Sequence, residues 1–209
     1  MKKKKYIPED AIKRLPVYLR NLLNLQKEGK EIVSSKEITF SLNILPEQFR
    51  KDLSYFGKFG KRGVGYNVNK LVKTLEKIIG IDKEIKVILV GVGRLGSALI
   101  RYKGFKSMNM KIVGAFDKDP SKIGMEIEEI KVMDMKEMDS FLKKEKIKVG
   151  IICVPSDKAQ KVAEDMVKSG IRAILNFAPA SLNLPKKIFV NYVDMASELG
   201  SLIFKLKNL

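Results

Sequence analysis

The sequence predicts an α/β protein made of two units, a basic helical unit followed by a parallel-sheet unit. Three observations carry this. Apolar residues recur at helical spacing up to about Gly80. Beyond it, short β-branched runs alternate with helical stretches. A glycine loop stands at the end of the first of those runs. The boundary is placed at residues 80–85, which gives units of 1–80 and 81–194 and a terminal helix at 195–209.

In the first unit, Ile12, Leu15, Leu19, Leu22 and Leu23 mark one amphipathic helix over residues 9–28. Pro16 removes a backbone donor there, so it should kink the helix or mark its effective start. Ser34 with Glu37 three positions on is a capping box that opens a short helix to about Leu42. Asn43 to Leu45 form a turn, and Pro46 suits the first turn of a third helix that Gly57 stops. Residues 57–66 are glycine-rich and basic and read as a hairpin. Asn69 caps a fourth helix that ends before Gly80.

Helix, helix–turn–helix and basic hairpin in that order describe a winged-helix DNA-binding domain. The third helix would enter the major groove, with Gln48, Arg50, Lys51, Ser54 and Tyr55 toward DNA and Phe49, Leu53 and Phe56 toward the core. Lys61 and Arg62 on the wing would reach phosphates or the minor groove. A helical dimerisation module fits the same pattern, but the third helix and the hairpin are both basic.

The second unit begins with a buried strand, Ile85 to Val90. Gly91-Val92-Gly93-Arg94-Leu95-Gly96 follows and leads into a helix, the context in which a GxGxxG loop cradles a dinucleotide. Gly91 permits the tight turn, Gly93 lets backbone approach a pyrophosphate, and Gly96 lets helix and strand pack closely. The next strand, Lys111 to Phe116, ends at Asp117, where a carboxylate accepts from adenosine ribose hydroxyls and repels a 2′-phosphate. These features define a Rossmann domain and favour NADH/NAD+ over its phosphorylated form. Strands at 149–154, 173–176 and 188–193 complete the sheet. Val154-Pro155 and Asn176-Phe177-Ala178-Pro179 at strand ends would wall the nicotinamide. Cys153, inside an apolar strand, reads as a buried, inert thiol. From Met195 to Leu209, Ala196, Leu199, Leu202, Ile203 and Leu206 share one helical face, which needs cover from its own domain or a second subunit.

The composition narrows the function. The 209 residues are 45% hydrophobic, with a formal net charge of +17. Residues 1–80 hold 18 basic and 8 acidic side chains, a net +10, against 23 and 16, a net +7, in the longer remainder. A polyanion partner such as double-stranded DNA accounts for that bias, and so does a lysine-rich surface. With no histidine and one cysteine, His-based triads and His or Cys-rich metal sites are excluded. No apolar run approaches the roughly 18–20 residues of a membrane span, and no apolar h-region follows Lys2 to Lys5. The chain is expected in the cytoplasm, without a metal or a membrane partner.

The whole chain resembles the Rex family of redox-sensing transcriptional repressors. The resemblance rests on Arg50-Lys-Asp-Leu-Ser-Tyr-Phe-Gly57, Lys61-Arg-Gly-Val-Gly-Tyr66, Val90-Gly-Val-Gly-Arg-Leu-Gly-Ser-Ala-Leu99 and Leu175-Asn-Phe-Ala-Pro179. It implies a homodimer with a domain-swapped C-terminal helix, a palindromic operator, and release from that operator when NADH displaces NAD+. It also implies a switch formed by Arg20, Tyr102 and Asp194. Two rival readings are an NAD-dependent oxidoreductase and a CoA-binding interaction module. The first lacks a substrate domain, histidine and a convincing Tyr-x-x-x-Lys pair, since Tyr102 and Lys106 span a loop. Asp117 suits a ribose diol better than the 3′-phosphate of coenzyme A. No enzymatic activity is therefore expected.

Overall fold

The computed structural model describes residues 6–209, so Lys2 to Lys5 lie outside the described residues. The chain divides into two compact units, Met1–Lys83 and Glu84–Leu209.

In the first unit, helix α1 (Glu9–Lys27) runs through Pro16 without interruption. The helix expected over residues 9–28 is therefore present, and Pro16 does not mark its start: Pro8, Glu9 and Asp10 begin it, and acidic residues suit its positive end. Its core face is Ala11, Leu15, Tyr18, Leu19 and Leu22, while Ile12 is half exposed. After strand β1 (Ile32–Val33), the Ser34–Glu37 capping box opens helix α2 (Ser35–Thr39), which stops three residues short of Leu42. Asn43 turns the chain in the left-handed region, and helix α3 (Pro46–Ser54) starts on its proline. Phe49 and Leu53 are buried, but Phe56 is only partly covered. Strand β2 (Tyr66–Asn67) pairs antiparallel with the distant β1, and only Lys61 and Gly65 bridge within the wing itself. Gly65 has φ +109°, and a Cβ there would come within 2.6 Å of the Val33 carbonyl oxygen, so the wing needs glycine at this point. Helix α4 (Val68–Ile79) is capped by Asn67, two residues before the expected Asn69, and ends at left-handed Gly80.

One buried carboxylate organises this unit. Asp52 on α3 is fully enclosed and accepts from Arg14 Nε (2.6 Å) and Nη2 (2.9 Å), Tyr18 Oη (2.7 Å) and Gln48 Nε2 (2.7 Å). Burial alone pushes its carboxyl up, but the Arg14, Tyr18 and Gln48 donors outweigh that and hold it below the ordinary range. Edge-on contacts of Phe49 with Tyr18 and Tyr66, at 4.9 and 5.4 Å, complete the packing beside it.

The second unit is a seven-stranded sheet among the described residues. Its strands are β3 (Ile85–Val90), β4 (Met110–Asp117), β5 (Glu126–Ile127), β6 (Ile130–Asp134), β7 (Val149–Ile152), β8 (Ala173–Asn176) and β9 (Phe189–Tyr192). The spatial order is β5-β6-β4-β3-β7-β8-β9, and every neighbouring pair is parallel except β5 with β6. Side chains alternate across β3. Ile88 and Val90 face the core under helices α6 (Met138–Glu145) and α7 (Ser156–Lys168). Val87 and Leu89 face the opposite core with Ile100 of helix α5 (Arg94–Ile100). Strand β7 ends at Ile152, so Cys153 and Val154 lie in the loop beyond it and not in the expected longer strand. Helix α8 (Met195–Lys207) closes the chain with none of its residues buried.

Candidate dinucleotide site and nucleic-acid face

The chain goes first from β3 to β4 and β6 on one side, then returns across β3 to β7 on the other. β3 and β7 stay paired to their carboxyl ends, but the connections that leave those ends run to opposite sides, and a crevice opens outside them, as it does wherever an open parallel sheet reverses its strand order. A cavity of about 700 Å³ occupies this crevice.

Gly91, Gly93, Arg94, Leu95, Asp117, Val154, Pro155 and Phe177 all line it. Gly91 has φ +97°, and a Cβ there would lie 2.7 Å from the backbone of Cys153. A Cβ on Gly96 would collide with the Gly91 carbonyl oxygen, which lets α5 start close against the loop. Gly93 differs: a Cβ on it would meet nothing within 4 Å, although the residue lines the cavity. Its missing side chain leaves room for a ligand, not for neighbouring protein.

Asp117 ties the second strand to the glycine loop. Its Oδ2 accepts from the Val92 backbone N–H at 2.7 Å, and its Oδ1 from the Asp119 N–H at 3.0 Å. Burial works against its charge, but the Asp119 and Val92 amides and the Lys122 ammonium hold the carboxyl below its usual range. Val92 thus supplies an amide behind the site, not a lining surface. Asn176, Ala178 and Pro179 also stand outside the lining. The buried Asn176 amide donates to the Ala178 and Ala180 carbonyls and accepts from Ala178 N–H, folding the loop that presents Phe177. Pro179 is exposed.

The cavity also gathers residues that motif reading did not single out, among them Lys122, Met135, Lys158 and Lys161, and with them Cys153, which was expected buried inside a strand. Lys158 and Lys161 sit on α7, whose sequence carries no cofactor motif, so only the sheet order could reveal them. Cys153 is half-buried here, and burial pushes its thiol up to about 12. Little thiolate exists near about pH 8, so alkylation monitored by mass spectrometry should be slow there. It should accelerate in strong alkali and slow further with a ligand in the cavity.

Arg50 on α3 meets the wing along a groove of about 560 Å³ that also includes Ser34, Ser35, Lys61 and Arg62. Arg50 donates to Ser35 Oγ at 2.6 Å and to the exposed Glu47 at 2.8 Å, solvent-accessible bonds that a phosphate can replace. Lys51 and Ser54 are exposed, and Tyr55 is partly covered. Gln48 requires a correction: its amide donates inward to Asp52, so that donor is not presented to a partner outside.

The three expected switch residues are divided between the units. Arg20 is exposed on α1 in the first. Tyr102 and Asp194 belong to the second. Tyr102 is 49% exposed and packs edge-on against Phe105 at 5.2 Å. Asp194 caps α8, accepting from Ala196 N–H (3.0 Å), Ser197 N–H (3.2 Å) and Ser197 Oγ (2.7 Å), which hold its carboxyl below the ordinary range. Among the described residues, no group of three or more His, Cys, Asp or Glu side chains could hold a metal ion. No described helix is long and apolar enough to cross a membrane.

Fold and site together define a Rossmann-type nucleotide-binding domain joined to a helix–turn–helix module with a basic wing. The family described as "CoA binding domain" matches residues 82–180, and that described as "Putative DNA-binding protein N-terminus" matches residues 6–54. A redox-sensing transcriptional repressor Rex from Desulforamulus reducens is 46% identical over 200 residues, covering 96% of this chain and 95% of that protein. Its counterpart from a Roseiflexus species is 44% identical, covering 95% and 90%. The crystal structure of RSP in complex with β-NAD+ and operator DNA superposes with a TM-score of 0.89 at 36% identity, covering 98% of this chain and 94% of that one. The chain belongs to the Rex family of redox-sensing transcriptional repressors.

Proposed function

We propose that this chain is a repressor that binds a palindromic operator through residues 1–80 and leaves it when NADH occupies residues 81–194. One observation carries the reading. Gly93 leaves room inside a cavity at the strand-order reversal, beside an ionised Asp117 bonded to the glycine loop, in a chain that also bears a basic helix and wing. The residues present fit a dinucleotide. Gly91, Gly93 and Arg94 would hold the pyrophosphate, Asp117 the adenosine ribose, and Pro155 with Phe177 the nicotinamide. The nicotinamide ring is neutral when reduced and positive when oxidised, which is the difference a sensor must read. Arg50, Lys51, Lys61 and Arg62 would contact DNA. The protein would act in the cytoplasm as a regulator and not as an enzyme.

Tyr102, Asp194 and Arg20 would report the occupancy to the DNA-binding unit. Three acceptor positions of the Asp194 carboxylate are engaged by its own helix, which leaves about one for an incoming partner. Giving up a cap costs only about 1 kcal/mol, within the range a ligand's differential affinity can supply. The exposed Leu199, Leu202, Ile203 and Leu206 of α8 suit coverage by a second copy, consistent with a homodimer that exchanges this helix.

Binding to a palindromic promoter fragment, measured with and without NADH, tests the reading. Tight, salt-sensitive binding that NADH abolishes is expected, and absence of DNA binding at low salt would refute it. Asp117→Ala should weaken NADH by about tenfold, the loss of one charge-assisted hydrogen-bonding group. Arg50→Ala should weaken DNA alone. The match to a CoA-binding family supplies a control: coenzyme A should neither compete with NADH nor release DNA.

A further inference from the structure

Backbone amides are not the only groups that hold the Asp117 carboxylate. The Lys122 ammonium lies 3.2 Å from its Oδ2 and 3.7 Å from Asp119 Oδ2. Lys118, Asp119 and Lys122 line the same cavity as Asp117. A carboxylate offers about four acceptor positions. Oδ2 receives Val92 N–H and Lys122, and Oδ1 receives Asp119 N–H, so about one position remains, enough for a single hydroxyl. The ammonium has three protons: one goes to Asp117, Asp119 at 3.7 Å is an ion-pair partner only, and the others remain for a group inside the cavity.

We propose that Lys122 is a specificity-determining residue that sets how strongly the ribose end of this cavity rejects a 2′-phosphate. The inference rests on the dinucleotide reading above. Two carboxylates, Asp117 and Asp119, share the one Lys122 ammonium, so the negative charge at the ribose end is partly compensated. A neutral ribose hydroxyl is served by an acceptor on Asp117 and a donor on Lys122. A 2′-phosphate brings about −1.5 to −2 charges. It meets a compensated carboxylate and an available ammonium proton where an uncompensated acid would repel it. Discrimination against NADPH by this chain is thus weaker than a lone strand-end aspartate would give, because Lys122 offsets part of the repulsion.

The test uses the intact chain and titrates NADH and NADPH separately by their own fluorescence, for wild type, Lys122→Gln and Lys122→Arg. Lys122→Gln should widen the NADPH-to-NADH ratio of dissociation constants by about tenfold, the scale of one unit charge at hydrogen-bond range in a partly exposed site. Its NADH affinity should change much less than its NADPH affinity. Lys122→Arg, which keeps the charge, should restore the wild-type ratio. A residue that merely stabilised the loop would weaken both nucleotides alike and leave the ratio unmoved. An unchanged ratio in Lys122→Gln therefore overturns the proposal while the dinucleotide reading stands. Failure of wild type to bind NADH would overturn that reading, and this inference with it.

Discussion

Replacing Asp52 with alanine is expected to destabilise the first unit by about 3–5 kcal/mol, the usual cost of removing one partner from a buried ion pair. The Arg14 guanidinium, the Tyr18 hydroxyl and the Gln48 amide would all lose their shared acceptor inside a packed site. At about 4–8 °C per kcal/mol for a unit of this size, its calorimetric transition should fall by well over 10 °C. Operator binding should fall with it, because Asp52 holds α3 against α1. The same carboxylate predicts a pH dependence. Its folded pKa lies below the unfolded value. The stability it contributes is therefore fully present above about pH 4 and is lost as pH falls through the folded value. Asp52→Asn should flatten that acid limb of the stability curve. An Asp52→Ala protein that melts like wild type would show that α1 and α3 are held by apolar packing alone.

Gly93→Val is expected to leave folding intact and reduce dinucleotide affinity by at least about a hundredfold, or roughly 2.7 kcal/mol. The backbone at Gly93, φ −84° and ψ −164°, is one that any L-residue adopts, and no protein atom stands within 4 Å of a new Cβ. The branched side chain would occupy the end of the cavity where, on the proposed reading, the loop would meet the pyrophosphate. Operator binding should survive and become indifferent to NADH. Gly96→Ala makes the contrast, because its methyl group would strike the Gly91 carbonyl oxygen. That variant should lose thermal stability as well as ligand. Thermal melts with NADH titrations on both variants separate the roles, and normal NADH binding by Gly93→Val would remove the loop from the site.

The site was most legible where its residues are contiguous. Strand, glycine loop, helix and Asp117 are separated by one βαβ connection, so the spacing that makes the motif also makes the geometry. Pro46 and the Ser34–Glu37 box act within one helical turn and were readable for the same reason. Contacts between distant residues were not. Arg14 and Asp52 are 38 positions apart, and nothing at either position announces the other. Lys122 looks like one more surface lysine until the loop after β4 folds it back onto Asp117. Gln48 sits at a helical position that suits an outward side chain, yet the buried Asp52 four residues on draws its amide inward.

By itself, the sequence determined the two-unit α/β architecture, the glycine loop with its acid and the basic third helix and wing. Each follows from periodicity, turn chemistry or local spacing, which act within a few residues. The tertiary structure alone decided which lysines line the cavity beside Asp117, that Cys153 faces the cavity, that β2 pairs with β1 and that Asp52 locks α1 to α3. Those outcomes depend on strand order and on desolvation. Burying a charge is tolerated only where the fold brings it a partner, and no local pattern encodes which distant residue that partner will be.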